Sequence, residues 1–128
     1  MQFFHEYNSG LSVPETIIYS ADITQLFKLF GDQFSKENIA VVAPNIDEQQ
    51  YIHEKLMSEI ELGIFTDATQ RQLLLIVENM RNRHNIDAVI LGCTELPLIF
   101  SNKFSKIPFL NTTEIHVAAI CQHCIHVV

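Results

Sequence analysis

Asp87-Ala-Val-Ile-Leu-Gly-Cys-Thr-Glu-Leu-Pro97 decides how the chain folds. An unbroken apolar run of strand length ends in Gly92, Cys93 follows at once, and a helix start comes next. A strand that does not alternate with polar residues is covered on both faces, as in a parallel sheet. The thiol then stands at the carboxyl end of a strand beside backbone N–H groups, which favour a thiolate.

Working outward, Thr16 to Asp22, Ile39 to Ala43 and the short Ile107-Pro-Phe-Leu110 read as further strands, with Pro44 and Gly92 as punctuation. Helical spacing fills the intervals. Leu26, Phe27, Phe30 and Phe34 form one apolar stripe. Asp47 is a candidate cap for a helix carrying Ile52, Leu56 and Ile60, and Gly63 is its natural stop. Asp67-Ala-Thr-Gln70 has the spacing of a capping box ahead of Leu73, Leu74, Val77 and Met80. The last helix is expected from Thr113 or Glu114 to about Ile125, with Ile115, Ala118, Ala119 and Ile120 facing inward.

Strands and helices in alternation imply a three-layer α/β/α sandwich around a short, mostly parallel four-stranded sheet, as a single domain over residues 1–128. Ligands of such sheets bind beyond the carboxyl ends of the strands. Three segments should therefore meet at one edge: Ser20-Ala-Asp22, Gly92-Cys-Thr-Glu95 and Asn111-Thr-Thr113.

Charge narrows the choice of partners. The chain has 8 Lys and Arg against 15 Asp and Glu, a net charge of −7. Nucleic acid is excluded, because phosphate binding needs a concentrated basic surface. The cluster Arg81, Arg83, His84 suits the carbonyl end of a helix instead. No apolar run approaches membrane-spanning length and the N-terminus lacks the pattern of a secretory signal. Three cysteines, an odd number, fit a reducing compartment, so a cytoplasmic protein is expected.

Val89-Ile-Leu-Gly-Cys-Thr-Glu-Leu-Pro97 resembles the second cysteine motif of the aspartate/glutamate racemase family. Other segments match in the same order: Ile39 to Pro44 with Asp47-Glu-Gln and Ile52-His53, Glu61-Leu-Gly-Ile-Phe65, and Asn111-Thr-Thr-Glu-Ile-His116. The resemblance runs from Ile39 to near Cys121 and implies one half, the C-terminal one, of a two-half racemase. It further implies cofactor-independent proton transfer at an amino-acid α-carbon, without pyridoxal phosphate or metal, by two cysteines on opposite faces of that carbon. The pairing has a physical basis, since a single base would return the proton to the face it came from.

On this resemblance Cys93 is one acid/base, Gly92, Thr94 and nearby backbone N–H groups hold the substrate carboxylate, and Glu95 selects aspartate-like chemistry. Thr112, Thr113 and His116 are supporting residues, and Ser20 or Thr24 supplies hydroxyl donors. The partner is a small amino acid or carboxylate. Two departures matter: Asn111 stands where the family often has aspartate, and the first catalytic cysteine is missing from a chain about half the family's length. The chain is therefore expected to be incomplete alone and to join a second racemase half or a second copy, with Phe3-Phe4 and Phe100 to Phe109 contributing apolar contact area. Residues 3–22 fit either the start of the C-terminal half or a remnant of the other.

Plainer readings stand beside these. A cysteine after a strand is commonly a small buried hydrophobe, Glu95 can serve a helix dipole, Thr112 and Thr113 can be no more than an N-cap, and His53 and His116 suit a surface. The tail Cys121-Gln-His-Cys124-Ile-His126 has one pair of metal-type ligands at helical spacing and no second pair, so no metal site is expected. A carboxylate-binding module without the proton shuttle is the alternative function. Single-cysteine enzymes that decarboxylate malonates are a weaker resemblance.

Overall fold

In the computed structural model, which describes residues 15–19, 34–100 and 105–127, four strands carry the architecture. They are β1 (Glu15–Tyr19), β2 (Ala40–Val42), β3 (Ala88–Leu91) and β4 (Phe109–Asn111). Helices accompany them, among the described residues α1 (Ile46–Ser58), α2 (Asp67–His84), the one-turn α3 (Leu96–Ile99) and α4 (Thr112–Val127). The expected helix from Leu26 up to residue 33, the end of the first strand, Ser20, Thr24, Phe3, Phe4 and Phe104 lie outside the described residues, while residues 34–36 are helical.

The strand order is β2-β1-β3-β4 and every pairing is parallel. The chain passes from β1 to one neighbour, then crosses to the other side of β1 to lay down β3 and β4. Strand order thus reverses between β1 and β3, the position where doubly wound sheets open a crevice for ligands. Register aligns Tyr19 with Leu91 and Leu91 with Asn111. The segments leaving β3 and β4 therefore emerge level, at one edge.

Period-2 alternation places Val89 and Leu91 on one face of β3 and Ala88 and Ile90 on the other. All four are buried, so both faces are covered, as the unbroken apolar run predicts. Val89 and Leu91 pack into a cluster with Leu56 and Ile60, with Leu73, Val77 and Met80 of α2, and with Leu96 and Phe109. Phe100 stacks on Phe109, ring centroids 4.8 Å apart. Both rings are buried, which corrects the expectation that they offer contact area to a partner. They are spent on the core.

Several boundaries differ from those read in the sequence. Asn45, not Asp47, caps α1: its side chain accepts from the Glu48 N–H and Glu48 accepts from the Asn45 N–H, a reciprocal capping box. Thr66, not Asp67, caps α2 by accepting from the Thr69 N–H. In both cases an extended residue just ahead of the helix takes the cap and adds to the first turn. Gly63 does stop the chain, though at the end of a 3-10 turn over Ile60–Leu62, with φ +76. Asn38 and Asn85 take the same left-handed conformation, which Asn tolerates because its short amide bonds locally.

The phase of α4 is the largest correction. Ala119 is buried and Ile115 half-buried, but Ala118 is exposed and Ile120 is 49% exposed. The Thr112 hydroxyl donates to the Leu91 carbonyl at 3.0 Å, which turns the 112/115/119 line of the helix toward β3. Ile120 is left on the outside.

Candidate functional site

Parallel pairing delivers Gly92 and Cys93 to the carboxyl edge of the sheet at the β1/β3 reversal. Gly92, Cys93 and Glu95 are half-buried and Thr94 is exposed. Glu95 is the residue before α3, whose first turn holds Pro97, a position where the missing N–H costs nothing.

The Cys93 thiol donates to Glu95 Oε2, Sγ to oxygen 2.7 Å. Burial pushes the Cys93 thiol above its ordinary range, and the Glu95 carboxylate adds to that by accepting its proton and by its charge. The backbone N–H groups of Glu95 and Leu96 act in the opposite direction and are outweighed. The expectation of a thiolate favoured by backbone N–H groups is thus reversed. Glu95 in turn lies below the usual carboxylate range, because the Cys93 thiol and then the Thr94 hydroxyl bond to its ionised form. The pair is a neutral thiol beside an ionised carboxylate.

The second arm of the site is the β4–α4 junction. Asn111 Oδ1 accepts from the N–H groups of Thr113 and Glu114, so Asn111 is the N-cap of α4. Neither Thr112 nor Thr113 has that role. Thr112, half-buried, ties the junction to the carbonyl of Leu91, two residues ahead of Cys93. Thr113 and His116 are exposed, with His116 one helical turn beyond Thr112. The Asn111 cap was readable from an Asx residue followed three positions later by Glu114. The Thr112 tether joins residues 21 apart and has no sequence signal.

Cys121 and Cys124 are free thiols exposed on α4. Among the described residues no three His, Cys, Asp or Glu side chains gather as a metal ion would require.

The Asp/Glu/Hydantoin racemase family model matches residues 26–120. The chain belongs to this racemase family. Solved structures agree on the fold. A candidate Asp/Glu racemase from Yersinia pestis superposes with a TM-score of 0.81 at 18% identity, covering 97% of this chain and 53% of that one. An aspartate racemase homologue from Pyrococcus horikoshii OT3 gives 0.82 at 21% identity, covering 94% and 53%. The Picrophilus torridus aspartate racemase gives 0.54 at 24% identity, covering 85% and 43%. The chain spans about half the length of these structures. Among the described residues no helix is long and apolar enough to cross a membrane.

Proposed function

We propose that residues 1–128 form one half, as a single domain, of a cofactor-independent amino-acid racemase that acts in the cytoplasm on aspartate or glutamate, with Cys93 as one of its two acid/bases. The observation that carries this is the Cys93–Glu95 pair at the sheet's reversal point, a protonated thiol held in place by an ionised carboxylate.

Such a thiol is poised as a proton donor. In one direction a base on the far side of the substrate removes the α-proton, the electron pair delocalises into the carboxylate, and the Cys93 S–H bond breaks as a new C–H bond forms on the opposite face. In the other direction the Cys93 thiolate is the base and recovers the proton. Thr94 and the Gly92 backbone border the substrate carboxylate, while Thr112, Thr113 and His116 define the neighbouring wall and Ser20 is a further hydroxyl donor to the substrate. The far-side base comes from a second half or a second copy, since Cys121 and Cys124 sit on exposed positions of α4 rather than at the Cys93 edge.

Incubation of the chain and its complementary half with L-aspartate or L-glutamate in deuterium oxide tests this. Exchange of the α-hydrogen with inversion is expected, and Cys93→Ser should abolish it. Exchange with inversion that survives Cys93→Ser would end the proposal. Because the chain spans about half of its structural counterparts, a non-catalytic carboxylate-binding module is the second reading. It predicts carboxylate binding with no exchange in any combination.

A further inference from the structure

Two thiols of α4 take no part in the site at the sheet edge. Cys121 and Cys124 are both free and both exposed. Residues three apart on a helix sit about 60° apart around its axis and about 4.5 Å apart along it. Their Cβ atoms are then about 5–6 Å apart, so both sulfur atoms can reach one point above the surface. Buried Ala119 marks the side of α4 that faces the sheet, and the midpoint of the two cysteines lies about 170° around the axis from it. The pair projects outward from a helix that is anchored on its other side.

The surroundings define what such a pair can hold. No Asp, Glu, Lys or Arg occurs between Ile115 and Val128. The exposed neighbours Val117, Ile120 and Ile125 offer no side-chain donor. His116 and His123 fall within about 60° of Ala119, on the far side of the axis from the thiols. Accordingly no third His, Cys, Asp or Glu side chain joins the pair among the described residues.

Sulfur alone, and only two atoms of it, is a selective donor set. Calcium and magnesium take oxygen ligands and find no carboxylate here. A structural zinc ion takes four ligands and finds two. Monovalent copper is soft, prefers thiolate, and forms stable complexes with two sulfur atoms in a line. A cation is also favoured in the last turn of a helix, where the carbonyl ends of the peptide dipoles gather.

We propose that Cys121 and Cys124 form a surface site that chelates one monovalent copper ion between two thiolates. The ion displaces one proton from each thiol: two S–H bonds break, two S–Cu bonds form, both protons pass to solvent and no electron is transferred. This site is separate from Cys93, whose thiol bonds Glu95 beyond the end of β3, and it does not rest on the racemase reading.

Anaerobic titration of the full chain with copper(I), in competition with bicinchoninate, should give one tightly held ion per chain and a thiolate-to-copper charge-transfer band in the ultraviolet. Loss of an outer-shell partner alone weakens a metal site ~10–100-fold, so Cys121→Ser or Cys124→Ser, each removing one of two direct ligands, should raise the dissociation constant more than ~100-fold. Cys93→Ser should leave stoichiometry and affinity unchanged. Because positions 121 and 124 are exposed, the far-UV circular dichroism of their serine variants should match the parent, which separates ligand loss from unfolding. X-ray absorption at the copper edge should show two sulfur neighbours and no nitrogen or oxygen. A nitrogen neighbour, tight binding that survives either serine variant, a copper-dependent dimer in sedimentation velocity, or zinc binding of equal strength would each overturn the proposal.

Discussion

Replacing Thr112 by Val removes one hydroxyl and nothing else of consequence, because the two side chains are nearly the same shape. What is lost is the hydrogen bond to the Leu91 carbonyl, 3.0 Å long, at the point where α4 is anchored to β3. A typical intramolecular hydrogen bond contributes ~0.5–1.5 kcal/mol net. Leu91 is 2% exposed, so water replaces the lost donor poorly, which argues for the upper part of that range. Thr112 itself is only half-buried, which pulls the figure back to ~1 kcal/mol. With a urea slope of ~1–3 kcal/mol/M, the unfolding midpoint should fall by ~0.3–1 M. Thr112→Ser is the control. It keeps the donor and loses one half-buried methyl, worth less than ~0.8 kcal/mol, so it should be the milder change. Urea titrations of the three proteins decide the matter. A Thr112→Val chain as stable as the parent, or a larger loss for Thr112→Ser, would show that packing and not the hydroxyl anchors the helix.

Glu95→Gln should lower the Cys93 titration midpoint, because it deletes the charge and the strongest acceptor facing the thiol while leaving the burial. The readout is iodoacetamide alkylation against pH in a chain whose Cys121 and Cys124 are replaced by Ser. Since the raised thiol favours the folded chain below the ordinary cysteine range and that contribution is lost as pH climbs through the folded value, the variant should also lose less stability between neutral and alkaline pH. Arg83 bonds both carboxylate oxygens of Glu48, 2.9 and 2.5 Å. Burial alone would raise the Glu48 carboxyl, but Arg83 and the Asn45 N–H outweigh it and hold the group below its usual range. Its contribution is present above the unfolded carboxylate value and disappears as pH falls through the folded one, so Arg83→Ala should cost ~1 kcal/mol at neutral pH and progressively less in acid denaturation series. Leu73→Ala, at a fully buried position, should cost ~3–5 kcal/mol in the same urea assay.

The sheet was readable because the β3 run has only one comfortable environment, and the expected four strands are found among the described residues, β2, β3 and β4 with edges shifted by one or two residues. Helix starts were less readable, since Asp47 and Asp67 offer the same chemistry as Asn45 and Thr66 and only the path of the preceding chain selects between them. The facing of α4 was hidden altogether. Apolar residues lie on two sides of that helix, and the choice rests on a hydroxyl that meets a strand residue 21 positions away. At the site, composition and order placed Cys93 and Glu95 at a strand end. The direction of the thiol's shift was not legible, because backbone N–H groups and a carboxylate pull it opposite ways and their balance depends on distances.

The α1–α2 pair is pinned at both of its ends. At one end the buried Thr69 hydroxyl donates to Glu59, which also holds Lys55. At the other Arg83 grips Glu48, 35 positions away in the chain. Two helices fastened at top and bottom cannot fray separately, so their amide protons should exchange with solvent in concert and only when the whole chain opens. Exchange in this pair therefore serves as an internal clock for global unfolding. Any amide between Gly92 and Glu95 that exchanges faster measures the opening of the sheet's carboxyl edge alone.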